Sequence, residues 1–393
     1  VPYFATENYP LKDINDPDET PTNVVRFSAG NATYISSYEM IEVLEAILLL
    51  EIDDFNNIST IEVDKLIAHS NEILDSAILH ATITDQLLNS KGMESLEVPS
   101  KDVDGVDVFV TTGTGDESFT YIKKSQLLSV FDALGLLNIV DFNDFDMESI
   151  DFNLVIDNAD ELLESAILHA TISKQIQEQG NSDSLVIPSL DDQNNPIELN
   201  ISGTYYISKD EIKNTLTALQ VFEIDDFDDF NNIDFDTSLI KKLSVNADTN
   251  PSTLDEGKVS TILSSKIVHA TLSKLILDAA EPDEISGETV LIVPYIASED
   301  YDDETNEVRF VSDDDDIYIV EVELVELFRS VLALDIEDFN EVDTVLLSDI
   351  LPHKEFIFDS AILHATISDK ILELTDDGSL TVPSLDLDNQ EII

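Results

Sequence analysis

The octet SAILHATI occupies Ser76–Ile83 and returns letter for letter at Ser165–Ile172 and at Ser360–Ile367. A diverged copy, SKIVHATL, occupies Ser265–Leu272. The histidines of successive copies are separated by 89, 100 and 95 residues. Self-similarity at a nearly constant period is typical of repeat proteins. The octet therefore marks either four chemical sites or one structural element that has been copied four times.

Other sequence features recur in step with the octet. A tyrosine-containing segment and then an acidic-aromatic segment precede each copy, and a short apolar segment that contains proline follows it. In the first unit these are TYISSYEM from Thr33, IDDFNNI from Ile52 and LEVPS from Leu96. Because order and spacing agree in all four places, the sequence predicts a four-fold internal repeat.

The pattern within each unit predicts a mainly helical module with short strands. The tyrosine segment predicts a strand that leads into a helix, and Ser36 with Glu39 has the spacing of a capping box at the start of that helix. The octet predicts a second helix, over residues 72–88 in the first unit, followed by a short strand in the proline segment. Turn-forming stretches such as KDVDGVDV, from Lys101, then predict a hairpin that links one unit to the next.

The predicted fold class is α+β, with four tandem modules and their hairpins joined in an elongated repeat array. The predicted modules span residues 1–105, 106–197, 198–306 and 307–393, and the first starts with the end of a preceding hairpin. Val1-Pro2-Tyr3 matches Val293-Pro294-Tyr295. We therefore expect either a segment of a longer array or a protomer whose ends pair with neighbours, its C-terminal strand completing the hairpin of the next subunit.

Each unit places a hydroxyl and an imidazole in the octet and a second hydroxyl directly after it, at positions i, i+4 and i+8, which share one helix face. The residues predicted to form this repeated core are Ser76, His80, Thr84, Ser165, His169, Ser173, Ser265, His269, Ser273, Ser360, His364 and Ser368. The remaining faces are apolar, as in a helix that is buried all round.

Three interpretations of this stripe differ in their chemistry. A Ser–His nucleophile pair would need a recurrent acid and oxyanion-hole donors, and neither accompanies the octet. A zinc site would need more ligands than one recurrent histidine per unit. A buried histidine bonded to backbone or hydroxyl groups, which fixes the packing of a helix against a strand, fits the pattern best. The sequence thus predicts no enzyme, while a metal or ligand site shared between adjacent units stays open.

Clustered acidic side chains raise the question of calcium, because hard cations prefer carboxylate and carbonyl oxygens in a turn. The candidate ligands are Asp102, Asp104, Asp107, Asp386, Asp388 and Glu391. These residues lie in two stretches, DVDGVD at residues 102–107 and DLDNQE at residues 386–391, and neither has the twelve-residue spacing of an EF-hand. The same residue types also form ordinary hairpin turns. Calcium binding stays a hypothesis, and no other cofactor is predicted.

Composition restricts the partners. The 393 residues include 83 acids and 19 Lys plus Arg, for a formal charge of −64. Nucleic acids and anionic lipid surfaces are polyanions and are poor partners for such a chain. No apolar run is long enough to cross a bilayer, so membrane insertion is not expected. The absence of cysteine excludes disulfides and thiolate metal sites, and 43% hydrophobic residues are enough for a folded core.

The combination of the YIS, IxDF, SAILHATIS and LxVPS segments resembles large tandem-repeat surface proteins of low-GC bacteria. The resemblance implies an extracellular or cell-surface location and carries no catalytic residues. The predicted function is that of a structural protein, as a subunit or segment of a surface fibre, filament or stalk that associates with itself end to end or laterally. The alternative is an array of adhesin-like modules, stiffened by calcium, that binds a host or matrix protein or a glycan near Tyr3 and Tyr295.

Overall fold

The computed structural model describes residues 1–7, 9, 22–52, 63–89, 96–139, 150–181, 185–191, 195–227, 237–245, 253–280, 291–297, 307–311, 317–336, 345 and 347–376. Within these residues the fold is α+β, a mixture of helices and short antiparallel strand pairs. The α+β part of the predicted fold class agrees with this mixture, while the elongated array of four tandem modules stays a prediction.

The helices are short, and most of them occur in the order predicted for the repeated units. Their bounds are α1 Ser37–Leu49, α2 Val63–Ala68, α3 Ser70–Asp75, α4 Ala77–Asn89, α5 Lys124–Leu136, α6 Phe152–Asp157, α7 Ala159–Leu162, α8 Ala166–Asn181, α9 Lys209–Val221, α10 Thr237–Lys242, α11 Glu256–Ser264, α12 Lys266–Ala279, α13 Glu321–Leu334, α14 Leu347–Ile350, α15 Lys354–Asp359 and α16 Ala361–Asp376. The four octets lie at the starts of α4, α8, α12 and α16.

The described strands form four separate two-stranded antiparallel sheets. Their bounds are β1 Arg26–Ala29, β2 Ala32–Ile35, β3 Phe109–Thr112, β4 Phe119–Ile122, β5 Glu198–Ile201, β6 Thr204–Ile207, β7 Arg309–Val311 and β8 Ile317–Ile319. Each tyrosine segment forms the second strand of its hairpin and leads directly into a helix, as predicted. The first strands were not recognised in the sequence, because RFSA, FVTT, ELNI and RFV share no motif.

The stretch from Lys101 to Asp107 is a turn closed by an isolated bridge between those two residues, and not the ladder hairpin of the unit. Three of the four proline-containing segments, predicted to be strands, are described, at residues 96–100, 185–189 and 291–295, and these lie outside any strand; the fourth, at residues 380–384, is outside the described residues. Proline has no N–H for a ladder, and a threonine hydroxyl replaces the neighbouring strand as acceptor. Thus the N–H of Glu97 donates to Thr171 Oγ1 at 2.9 Å, and the N–H of Val186 donates to Thr271 Oγ1 at 2.9 Å.

The octet helices start later than the sequence indicated. In the first unit the helix predicted over residues 72–88 is divided, because α3 ends at Asp75 and α4 begins at Ala77. Ser76 between them has extended backbone, and its Oγ accepts the N–H of Leu79 at 3.1 Å. A serine that caps a helix in this way satisfies a backbone donor that would otherwise lack a partner.

Of the two hydrogen bonds that the predicted capping box implies, the structure contains one. Ser36 Oγ accepts the N–H of Glu39 at 3.2 Å, as predicted. The carboxylate of Glu39 does not return to its own helix but caps α4 instead. It accepts Ser76 Oγ–H at 2.8 Å, the N–H of Ala77 at 3.1 Å and the N–H of Ile78 at 2.8 Å. A carboxylate at a helix N-terminus also complements the helix dipole.

The last octet helix has the same kind of cap. Glu323 of α13 accepts Ser360 Oγ–H at 2.7 Å and the N–H groups of Ala361 and Ile362 at 3.0 Å each. Both Glu39 and Glu323 are fully buried. A buried carboxylate with several charge-assisted hydrogen bonds is stabilising only while its donors remain in place.

The chain divides into two compact parts, which are separate from the four predicted repeat units. One part comprises residues 1–178, 198–213 and 225–228, and its core includes Tyr121, Phe131 and Phe152. The other comprises residues 179–197, 214–224 and 229–393, and its core includes Phe222 and Phe328. The division into four modules, with boundaries after residues 105, 197 and 306, stays a prediction.

Replacing Glu39 tests how much its cap contributes. Glu39→Ala should lower the free energy of unfolding by about 2–4 kcal/mol, because Ser76 and two buried N–H groups lose their acceptor. Glu39→Gln should cost less, since Gln126 occupies the equivalent place and its Oε1 accepts the N–H of Ala166 at 3.3 Å. Urea unfolding of the two variants measures the difference, with Glu45→Ala as the control, and equal losses for Gln and Ala at residue 39 would contradict the assignment.

Candidate functional site: the octet joints

His80 of the first octet bonds to the backbone of the hairpin that follows it in the chain. Its ring Nε2 lies 2.7 Å from the carbonyl oxygen of Ile122 in β4. The N–H of Ile122 in turn donates to Thr84 Oγ1, one turn further along α4, at 3.3 Å. Both polar groups of one strand residue are therefore bonded to a single helix face.

The same pair of bonds recurs at the next two octets. In α8, His169 Nε2 lies 2.7 Å from the oxygen of Ile207, whose N–H donates to Ser173 Oγ at 3.0 Å. In α12, His269 Nε2 lies 2.7 Å from the oxygen of Ile319, whose N–H donates to Ser273 Oγ at 3.1 Å. We call these contacts the first, second and third joints, each made of an octet histidine, the hydroxyl four residues later and one isoleucine backbone.

The hydrogen bonds define the state of the ring. A carbonyl oxygen only accepts, so Nε2 carries the hydrogen and the imidazole acts as a donor. Burial lowers the pKa of His80 and of His169, because the charged ring would lose its hydration. His80 and His169 are therefore neutral, buried donors to the backbone.

The first hydroxyl of each stripe has a different role from the second. Ser165 Oγ accepts the N–H of Leu168 at 3.4 Å, and Ser265 Oγ accepts the N–H of Val268 at 3.1 Å. These serines cap the octet helices, and the ring of His169 is committed through Nε2 to the Ile207 carbonyl. The predicted repeated core is thus divided into a cap and a joint, and both contacts hold packed elements together.

A recurrent tyrosine completes each joint and was missed as a functional residue. The rings of Tyr121, Tyr206 and Tyr318 lie 4.8, 5.0 and 5.9 Å from the joint histidines, measured between ring centroids. Tyr121 donates its hydroxyl to the carbonyl of Phe4 at 2.7 Å, and burial raises the pKa of that hydroxyl. The signal was present in the sequence, since each tyrosine directly precedes the isoleucine that the histidine binds.

An ion pair spans each joint beside the hydrogen bonds. Lys124, the first residue of α5, pairs with Asp75, which directly precedes the octet. Lys209 pairs with Glu164 in the same way at 3.1 Å. In the third joint the charges are exchanged, with Lys266 of α12 lying 3.4 Å from Glu321.

The fourth octet has its cap but not its joint. Ser360 is buried against Glu323, as described above, while His364 and Ser368 are half-buried. The ring of His364 contacts the ring of Phe358, with centroids 5.3 Å apart. Among the residues that the structure describes, no hairpin lies on this octet.

The candidate calcium ligands fall into two groups. Asp386, Asp388 and Glu391 lie outside the described residues. Asp102 Oδ1 accepts the N–H of Asp104 at 3.1 Å and that of Val106 at 2.8 Å, which is the bonding of an ordinary Asx turn. Lys101 Nζ lies 2.8 Å from Asp107, whose pKa it lowers, so a lysine ammonium already interacts with this carboxylate.

No group of three or more histidine, aspartate or glutamate side chains suited to a metal ion occurs in the described part of the chain. Calcium binding stays a hypothesis. Tyr3 and Tyr295, where the alternative function would place a ligand, each stack under an arginine: Arg26 lies 3.8 Å and Arg309 3.5 Å from the respective ring centroids.

Comparisons with protein-family models, with curated proteins and with solved structures find no match to this chain. Among the described helices, none is both long and apolar enough to traverse a bilayer.

Removing a joint histidine should destabilise the fold. His169→Ala should lower the free energy of unfolding by about 2–4 kcal/mol, because it leaves a cavity and an unpaired buried carbonyl. His364→Ala is the matched control, since it alters the same motif where no joint lies within the described chain, and at concentrations that keep the chain monomeric it should cost less than about 1 kcal/mol. Urea unfolding followed by circular dichroism measures both, and equal losses at the two positions would refute the joint as a source of stability.

The joint histidines should also make stability depend on pH in a definite direction. Because the pKa values of His80 and His169 are lowered on folding, the unfolded chain binds more protons near the ordinary histidine pKa of about 6.5. Their contribution to stability is thus complete above that pH and decreases as pH falls through it.

A glutamine variant isolates this effect from the titration of the many carboxylates. His169→Gln keeps a donor for Ile207 but cannot be protonated, so the stability advantage of the wild-type chain over this variant should shrink between about pH 7.5 and about pH 5.5. His353→Gln, outside the octets, serves as the control. Melting temperatures at each pH provide the measurement, and a difference between wild type and His169→Gln that does not change with pH would contradict the prediction.

Proposed function

We propose that this chain is a non-enzymatic structural repeat protein, a subunit or segment of an extracellular fibre, filament or stalk at the cell surface. The observation that carries the proposal is the recurrence of one joint three times, with the histidine bonded to a backbone carbonyl in each case. A motif that is copied to hold neighbouring segments together needs no substrate.

The bonding partners of the octet helices favour an array. Each of the three joints connects residues on opposite sides of a predicted module boundary, as with His80 and Ile122 around residue 105. The proline segments cross the boundaries too, since Val186 bonds to Thr271. Contacts that cross every predicted boundary couple each module to the next one in sequence. Repeat proteins build length from such contacts between neighbouring modules.

The acidic surface is consistent with a spacer role. A formal charge of −64 makes the surface strongly hydrated and repels other acidic chains at low salt. The described cations are mostly used in local ion pairs such as Lys124–Asp75 and Lys209–Glu164. The extracellular location follows from the resemblance of the repeated segments to tandem-repeat surface proteins.

Small-angle scattering of the monomer tests the proposal. A compact globule of 393 residues has a radius of gyration of about 21 Å, whereas an array of four modules should be clearly larger. A radius near the compact value would refute the array. The variant His169→Ala, which opens one joint, should increase the radius or broaden the distance distribution, while His364→Ala should change neither.

A further inference from the structure

Each joint brings together two surfaces, and the segments that form them recur along the sequence. The first, which we call the helix face, comprises an octet helix and the residue two positions before the serine that caps it, for example Leu74 before Ser76. The second, which we call the hairpin face, comprises the second strand of a hairpin and the helix that follows it. At the first joint α4 packs against β4, while α2 and α3 pack against α5.

The hairpin face formed by β2 and α1 is exposed, whereas its three counterparts are buried. Tyr34 is 50% exposed, while Tyr121 and Tyr206 are fully buried. Met40 is 50% exposed and Leu44 is 44% exposed, whereas every counterpart is fully buried. Those counterparts are Leu127, Ile212 and Leu324 for Met40, and Phe131, Leu216 and Phe328 for Leu44. A cluster of large apolar side chains in water marks an interaction surface.

The backbone of this exposed hairpin is arranged as in the joints. The N–H of Ser36 donates to the carbonyl of Val25 at 2.8 Å, as the N–H of Lys123 donates to that of Val108 at 2.8 Å. Ile35 therefore has the ladder position of Ile122, and in an antiparallel pair its N–H and C=O point away from the neighbouring strand. They are directed as the groups that bind His80 and Thr84 are.

The helix face of α16 is exposed in the complementary way. Phe358 is 49% exposed, whereas its counterparts Leu74, Leu163 and Leu263 are buried. Ile371, seven residues after the octet histidine, is 43% exposed, whereas Leu87, Ile176 and Ile276 are buried. His364 and Ser368 thus present a donor and an acceptor within an apolar surface.

We propose that the helix face of α16 in one copy of the chain docks on the hairpin face of β2 and α1 in a second copy. His364 Nε2–H then donates to the carbonyl of Ile35, and the N–H of Ile35 donates to Ser368 Oγ. This fourth joint rests on the proposed structural function and specifies its self-association as head to tail. The partner is a second copy because the two exposed surfaces are the two halves of a contact that the chain makes three times internally.

The joint between copies is weaker than two of the internal joints. Ser37 occupies the place of Lys124 and Lys209, and Asp359 occupies the place of Asp75 and Glu164. No ion pair spans this contact, and it must form against the repulsion of two acidic chains. Docking is therefore reversible and should strengthen with salt, as the screening length falls from about 8 Å at physiological ionic strength to about 3 Å at 1 M.

Two variants, each with one face blocked, test the docking. Leu44→Asp places a charge on the hairpin face and Phe358→Asp places one on the helix face; both positions are exposed, so the fold should tolerate them. In sedimentation or light-scattering measurements, the wild-type chain should form concentration-dependent oligomers and each variant alone should be monomeric. An equimolar mixture of the two variants should form dimers and nothing larger, because only one pair of intact faces remains.

A third variant tests the register by gain of affinity. Ser37→Lys creates the ion pair with Asp359 and should tighten association about two- to fivefold, as expected for an exposed pair. Ser125→Lys adds the same charge on α5 away from both faces and should have a smaller effect. His364→Ala should weaken association about tenfold or more while leaving the melting temperature of the monomer nearly unchanged.

Three results would overturn the docking: a wild-type chain that stays monomeric in high salt, single-face variants that still associate alone, or a mixture that fails to dimerise. An elongated chain that stays monomeric would overturn the docking and leave the structural function standing. A compact monomer would refute the proposed array whether or not copies associate.

Discussion

The structure depends on satisfying the open edge of a two-stranded hairpin. A strand with one neighbour has N–H and C=O groups on its far side that need partners when they are buried. The joint helices supply these partners through a donor and an acceptor one turn apart, a neutral imidazole and a hydroxyl. At the second joint, for example, His169 and Ser173 bond to the two backbone groups of Ile207. Hairpins that would be marginal alone thereby become part of a core.

The joint explains why the histidine is buried and why it stays neutral. A charged ring in this place would lose hydration without gaining a counter-ion, because its partner is a carbonyl. The positive charge of Lys209 also lowers the pKa of His169. Burial is the largest effect on the pKa of His169, and together with the Lys209 charge it outweighs the hydrogen bond to Ile207, which favours the charged ring. The imidazole therefore serves as a neutral hydrogen-bond donor of suitable length.

The sequence predicted much of this and failed where a bond crosses between distant segments. The strand–helix order, the buried histidine and the Ser36 cap could be predicted from local spacing. The carbonyl that His80 binds could not be predicted, because it lies 42 residues away, beyond the predicted module boundary. Glu39 was assigned to its own helix, since a capping box is a local pattern, although its carboxylate caps α4. The proline segments were predicted as strands because apolar alternation does not reveal whether the acceptor is a strand or a threonine side chain.

The differences between the copies indicate which contacts the fold can exchange. At the N-terminus of the octet helix the acceptor is Glu39 in one copy and Gln126 in another, and a hydroxyl pair between Thr215 and Ser265 occurs in a third. The ion pair beside the joint exchanges its charges between Lys124–Asp75 and Lys266–Glu321. These are contacts between side chains, or between a side chain and an N–H, so another residue can replace the side chain.

The acceptor of the joint is a backbone carbonyl, which no substitution alters, and its donor must have the reach and the neutrality of an imidazole. Three octets make this contact, and their histidine is the same while the residues around it differ.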